Sequence, residues 1–573
     1  MFARLSNMFG ANDDEEQGHG SPSRKPGSRC GSQGSTTPIH TPNVAQCQID
    51  NSGSVLEKIA GLYAERLMSD IVLLVGQREF PAHRLILCAS SDVFQVMLMN
   101  PRWNESREQR ILLQEAPECV EVFELFLRYL YTGRLKISHS TVLPILALAD
   151  KYNVKDLVDT CGRYMKLHVV SASQQNYLIA WLEYTLTCGH SEIAQVCLNH
   201  LKWNFEQVAG REDFASCDID LLTTVLAQHD LVIHDEMTLY NIVVSWLHRQ
   251  EERLSLPTPV ATPGEPPPSF VPQSSSSALE GVFIPPPPMS ITPSCGKLYL
   301  RRDSTASSCT DPVDRMEWLT YEVMKFVRFP MMTPRQLADL LLVPLTIKYK
   351  EFFVTRMAIG MSFHSDLYTF NSPFSALSFM LLHAWPISRT VRRHFYTATP
   401  EPHLNSTSPS FTVTTAGLPA YHTRTLVFST PASASELDCD SQLEWIVELY
   451  PKGVWFRKFY LIVWQGTVEV PEAVLRTVRL AVTAKDVEYA RVRIAVLVFA
   501  VQDGIEYIVK VVSTKYIFSS EDNLLNLDDI LPFDSLNDPV ERQRYLQEPC
   551  ESLKIHIVIS PLTDPKLSAA GIT

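Results

Sequence analysis

Residues 70–97 read DIVLLVGQREFPAHRLILCASSDVFQVM. Ile71 to Val75 is an unbroken apolar run that stops at Gly76, the pattern of a buried strand ending in a tight turn. Glu79 to His83 then reads as a second strand, and from Arg84 to Met99 the apolar spacing is helical. Upstream, Ser54 and Glu57 have capping-box spacing, and Val55, Ile59, Leu62 and Leu67 follow a helical stripe. Downstream, Arg110 to Gln114 is a short strand, and Val120, Phe123, Phe126, Leu127 and Leu130 form another helical stripe. Gly133 breaks the chain before helices expected at about 140–152 and 154–167. Strands interleaved with helices predict a compact α/β unit over residues 51–167.

Working outward, residues 1–50 are rich in Gly, Ser, Asp, Glu and Pro and carry few apolar groups, so they are expected to be a disordered tail. From Gln174 to Arg253 the pattern is helical throughout, with stripes such as Leu178, Leu182 and Thr185, or Leu239, Ile242, Val243, Trp246 and Leu247. No strand signal competes there. Residues 256–312 contain PTPVATPGEPPPSFVP, a run of serines and Pro285 to Pro288, a disordered or polyproline-type insertion. Helical pattern resumes at Met316 and runs to about Leu342, so the insertion interrupts an all-α unit over 170–345. Beyond about 360 the texture turns to strands: Thr423 to Ser429, Leu443 to Leu449, Phe459 to Trp464, Val478 to Val482, Arg491 to Val501, Tyr507 to Val512 and Leu553 to Ile559. Arg491 to Val496 alternates as a half-buried strand should. An antiparallel β-sandwich is expected over 360–562, followed by a tail at 563–573.

Composition narrows the function. The chain has 573 residues, a formal net charge of -13 and no long basic block, which argues against nucleic acid as a partner. No apolar run reaches membrane-spanning length, and the first residues lack a continuous apolar core, so neither membrane insertion nor a cleavable signal peptide is expected. The 12 cysteines include no CxxC; Cys88, Cys161, Cys188 and Cys197 sit among apolar residues and read as small buried hydrophobes. The sequons at Asn104 and Asn405 read as chance matches. Phosphate-binding loops, HExxH and GxSxG are absent, and Cys188-Gly189-His190 reads as a helix-ending loop, not half of a metal site. No enzymatic activity, cofactor or metal is expected.

Asp70 before the first strand, the FPAHRLIL turn into a helix, VFQVM, YLYTG and ALADKYNVKDL together resemble a BTB/POZ domain. That resemblance implies a homodimer in which an N-terminal helix packs on its counterpart, with Asp70, His83 and Arg84 near the interface. Asp70 and His83 could equally form a buried pair that holds the fold. Cullin-binding members of the family carry a hydrophobic residue, any residue, then Glu in the loop after the third helix; Trp103-Asn104-Glu105 fits, and Tyr152 matches a further cullin-contact position. Lys325 to Pro334, KFVRFPMMTP, resembles the BACK domain that follows BTB in cullin adaptors. Trp445 to Gly453, WIVELYPKG, is similar to a TRAF/MATH-type sandwich. The resemblances imply a cytoplasmic (or nuclear) substrate adaptor of a cullin-3 ubiquitin ligase, with an unknown protein substrate. The alternative is a homodimeric scaffold in trafficking or signalling that does not bind cullin.

Overall fold

The computed structural model describes residues 50–255, 312–364, 394–395, 410–414, 418–432, 442–454, 475–539, 541–546 and 552–562. The N-terminal tail, the Pro-rich insertion, the strand expected at Phe459 to Trp464 and the C-terminal tail lie outside these residues. The described chain forms two compact units, the first ending at Tyr164 and the second beginning at Met165.

The first unit opens with α1 (Ser52–Glu65). The Ser54–Glu57 capping box is not realised. The helix begins two residues earlier, where the Asp50 carboxylate accepts from the Ser52 N–H at 2.9 Å, a bond that also lowers the Asp50 pKa. Strands β1 (Ile71–Val75), β2 (Arg78–Ala82) and β3 (Arg110–Leu113) form one sheet in the order β2-β1-β3. β1 pairs antiparallel with β2 and parallel with β3. Gly76 takes φ +60°, so the two-residue turn needs glycine or a similarly permissive residue. The expected single helix from Arg84 to Met99 is two, α2 (Arg84–Ser90) and α3 (Asp92–Met99). Ser91 separates them: it leaves helical geometry, its hydroxyl accepts from the Phe94 N–H, and the same hydroxyl donates to the Tyr152 carbonyl at 2.6 Å. α4 (Pro117–Thr132) ends at left-handed Gly133, and α5 (His139–Lys151) and α6 (Lys155–Leu167) follow.

In the second unit, helices α7 (Val169–Gln174), α8 (Leu178–Cys188), α9 (Ser191–Trp203), α10 (Phe205–Ala209), α11 (Ile219–Ala227) and α12 (Glu236–Ser255) precede the insertion. Left-handed Gly189 closes α8, so Cys188-Gly189-His190 is an interhelical turn, and Cys188 is exposed, unlike the buried Cys88, Cys161 and Cys197. α13 (Pro312–Met324), α14 (Pro334–Leu340), α15 (Pro344–Lys348) and α16 (Lys350–His364) follow the insertion. The halves belong together. α12 packs on α13, the buried Glu236 carboxylate accepts from the Arg328 N–H at 3.1 Å, and Gln336 donates to Asp235 at 3.3 Å.

Strand signal was not expected among the helices, yet β4 (Val232–Ile233) pairs parallel with β5 (His394–Phe395). The sandwich stacks β6 (Ser410–Thr414), β10 (Tyr489–Gln502), β11 (Ile505–Ser519) and β13 (Ser552–Pro561), ordered β11-β10-β13-β6, on β7 (Arg424–Pro431), β8 (Gln442–Tyr450), β9 (Arg479–Lys485) and β12 (Leu524–Leu527), ordered β12-β9-β8-β7. β6, β12 and a short helix at Phe533–Asn537 escaped the sequence reading because each spans too few residues to show a period. Trp445 is fully buried in this core, donates to the Thr430 hydroxyl at 2.8 Å and meets Phe518 edge-on. Gly453 takes φ +86°, and a Cβ there would stand 2.8 Å from the Leu475 carbonyl oxygen.

β10 departs from the half-buried expectation. From Val492 to Ala500 both faces are buried. Val492, Ile494, Val496 and Val498 fill the sandwich core, while Ala495, Leu497 and Phe499 on the opposite face join Ile508, Val558 and Val232, with Trp203 packed beside them. The helical region therefore covers part of the outer face of the sheet. Polar bonds lock the seam. The Asn204 amide donates to the Ile508 carbonyl (3.1 Å) and accepts from the Ile508 N–H (2.7 Å), pairing with that peptide as a neighbouring strand would. Arg493 donates to the His229 carbonyl at 2.7 Å, and Gln502 donates to the Leu167 carbonyl at 2.9 Å.

Candidate docking site

Asp70 and His83 are adjacent to the same turn but do not pair. Asp70 is exposed, and its carboxylate accepts the Arg84 backbone N–H at 2.8 Å, fixing the first turn of α2. His83 is half-buried. Its Nε2 lies 2.6 Å from the Leu67 carbonyl oxygen and its Nδ1 lies 2.9 Å from the Tyr131 hydroxyl, which also accepts the His83 backbone N–H. A carbonyl can only accept, so the proton sits on Nε2, and the Tyr131 hydroxyl donates to Nδ1. Burial pushes the Tyr131 hydroxyl pKa up to about 12, which keeps that donor in place. The Leu67 carbonyl lies between two left-handed residues, Arg66 (φ 53°) and Met68 (φ 57°), so His83 braces a strained turn directly after α1.

α1 itself buries no residue. It lies against α4, where the Tyr63 and Tyr131 rings approach to 5.1 Å, and its apolar positions stay half-exposed or exposed. The apolar stripe of this helix is therefore left partly open to solvent along its length.

Arg84 turns away from that region. Its guanidinium reaches the carbonyl oxygens of Leu98 and Glu105, each at 3.4 Å, and that of Glu108. The residue expected at the dimer interface thus organises the Trp103-Asn104-Glu105 loop. That loop is a single 3-10 turn, Asn104–Ser106, with Trp103 at its N-terminus; the Trp103 carbonyl accepts from the Ser106 N–H (3.2 Å) and hydroxyl (2.7 Å). Trp103 and Glu105 are half-buried and Asn104 is exposed. Arg84 takes the backbone carbonyl of Glu105, not its carboxylate. Beside the loop, α3 presents Val93, Val96 and Met99, which are 37%, 51% and 58% exposed. Their spacing puts them along one side of the helix. The motif pattern did not reveal this ridge.

Tyr152 differs from the other three. It is 2% exposed, its ring stacks on Phe94 with centroids 4.4 Å apart, and its hydroxyl donates to Glu115 at 2.6 Å. Burial, with Glu115 next to it, holds its pKa well above the ordinary tyrosine value. A ring in this position supports α3 from below and has no surface to offer a partner, so direct contact by Tyr152 does not follow from this geometry.

Among the described residues no His/Cys/Asp/Glu group has metal-binding geometry, and no helix is long and apolar enough to cross a membrane. Family models match three stretches: the BTB/POZ domain at residues 60–168, the BACK domain (BTB And C-terminal Kelch) at 178–258, and the BTBD17 TRAF domain at 405–563. None of the three is an enzyme family. BTB/POZ domain-containing protein 17 of Homo sapiens is 32% identical over 211 residues, 36% of this chain and 42% of that protein. The Xenopus laevis protein of the same name is 29% identical over 208 residues, 35% of this chain and 43% of its own length. Kelch-like protein 24 of Homo sapiens is 29% identical over 188 residues, 32% of this chain and 30% of its own. The chain thus spans less than half the length of the BTB/POZ domain-containing protein 17 relatives it matches. The α/β module, the helical module and the antiparallel sandwich thus stand, in that order, where the chain carries a BTB/POZ domain, a BACK domain and a TRAF domain of the BTBD17 type.

Proposed function

We propose that the chain is a substrate-recognition adaptor of a cullin-3 ubiquitin ligase. The BTB module, 51–167, dimerises through α1 and docks cullin-3 through α3 and the Trp103 loop. The helical module, 170–345, carries the sandwich, 360–562, which captures substrate in the cytoplasm. No bond chemistry is required of the adaptor; it raises the effective concentration of substrate beside the ligase, and a dimer does so bivalently. The observation that carries this reading is the exposed ridge of Val93, Val96 and Met99 beside Trp103, braced by Arg84. Apolar side chains held on a rigid helix next to an aromatic anchor and a carboxylate have the composition of an interface hot spot.

Trp103→Ala combined with Glu105→Ala should weaken cullin-3 binding about thirtyfold, the equivalent of roughly 2 kcal/mol. Dimer mass and melting temperature should stay near parental values. Unchanged cullin-3 binding would move the docking site elsewhere. A parent chain that never binds cullin-3 would favour the homodimeric scaffold in trafficking or signalling, which the bare apolar stripe of α1 equally supports.

A further inference from the structure

Along β10 and β11, Tyr489 faces Ser519, Arg491 faces Ile517, and Arg493 faces Lys515. Strand alternation places all six side chains on the outer face of the sheet, the face whose far half the helical region covers. Arg493 and Lys515 are like charges directly opposite each other, and Arg491 is diagonal to Lys515; such pairs oppose folding. Among the described residues neither Arg491 nor Lys515 has an ion-pair partner. Arg493 is 8% exposed and spends its donors on the Ser513 hydroxyl (3.1 Å) and the His229 carbonyl. Asp230, the acid whose charge acts on Arg493, is held by Lys202 at 2.7 Å and by the Trp203 indole at 3.0 Å. Exposed His229 borders the cluster; burial, then the nearby Arg328, Arg493 and Lys515 charges, hold its pKa below the ordinary value. Tyr489 and Ile517 flank the cations and are 54% and 49% exposed. In a chain of net charge -13, an uncompensated cationic shelf with apolar neighbours lacks its counter-charge.

We propose that this shelf is the substrate-docking surface of the sandwich and takes an acidic, extended peptide. The inference rests on the reading that the sandwich captures substrate. Arg491 and Lys515 meet the peptide carboxylates, Tyr489 and Ile517 meet alternate apolar side chains, and Arg493 adds its field from beneath. An extended peptide presents side chains at a two-residue period that matches the spacing along β10. Nucleic acid fits less well, because affinity for it grows with a long track of phosphate contacts that three cations do not supply.

The test uses the full chain and a short fluorescent peptide of alternating Glu and Val, read by anisotropy. The parent should bind it, bind more weakly as salt rises, and ignore the same peptide with Lys for Glu. Arg491→Glu and Lys515→Glu should each weaken binding about tenfold or more, and Lys515→Gln by less. Lys485→Glu, on the other sheet, should leave it unchanged. No binding by the parent, equal binding by variants whose melting is parental, or tighter binding of a single-stranded oligonucleotide of equal charge would overturn the proposal. Cullin-3 binding measured on the same proteins separates the two readings: peptide binding without cullin-3 binding keeps the shelf and removes the adaptor, and the converse removes the shelf alone.

Discussion

His83 shows how much one side chain can hold. Both ring nitrogens are used, one on the turn after α1 and one on the Tyr131 hydroxyl. His83→Ala removes the acceptor of that hydroxyl and the donor to the exposed Leu67 carbonyl while the backbone N–H bond to the hydroxyl remains, which should cost about 1 kcal/mol. Because the bond to Leu67 anchors the turn behind α1, the same variant should also weaken the proposed dimer. Sedimentation across a concentration series, beside thermal melting, would check both; a dimer as tight as the parent's would detach α1 from that interface. The family resemblance assigned Asp70, His83 and Arg84 to a dimer interface and Trp103, Asn104, Glu105 and Tyr152 to a cullin contact, but not the bonds that each side chain makes. Spacing does not report which way a side chain turns. Arg84 reaches the loop through carbonyl groups, which every residue carries, and Tyr152 is hidden by Phe94 and Glu115, which lie far from it in sequence.

At the scale of elements, α9 and β11 meet at His200. Its imidazole lies 5.9 Å from the Tyr507 ring, and burial lowers its pKa from 6.5 to about 4. In the folded chain it stays neutral where the unfolded chain would take a proton. Its contribution is therefore fully present above pH 6.5 and is lost as pH falls toward 4, by roughly 3 kcal/mol in all. His200→Gln should flatten the acid limb of the melting profile between those values relative to the parent; parallel profiles would place His200 in contact with water. Glu183 works in the opposite sense. Burial raises its pKa to about 7, so it weakens the fold as pH rises from its unfolded value of 4.5 through 7. Most helices and long strands were legible because they carry a period over many residues. β10 was misjudged on its outer face, since the Arg491–Arg493 alternation stands for only its first turn of the pattern and the side chains that cover Leu497 and Phe499 come from Trp203 and Val232.

At the scale of the molecule, the helical region and the sandwich share a core, so the three sequence modules make two compact units. Replacing residues 256–311 by a short linker should leave the melting temperature close to parental, because α12 and α13 already pack on each other and the cost of closing a loop changes slowly with its length. A fall of several degrees would show that the segment packs on the helices. Composition sets that segment apart as Pro- and Ser-rich. It could not announce the seam, which depends on residues separated by most of the chain.

The bond between Asn204 and Ile508 joins residues 304 positions apart. At a synthesis rate of about 5–20 residues per second, the helix that Asn204 caps leaves the ribosome roughly 15–60 s before its partner strand exists. During that interval Trp203 and Val232 have no sheet to cover, and the order of manufacture leaves the half-built protein with an open apolar face. Completion of the last strands is thus also the moment at which the middle of the chain becomes safe from stray association.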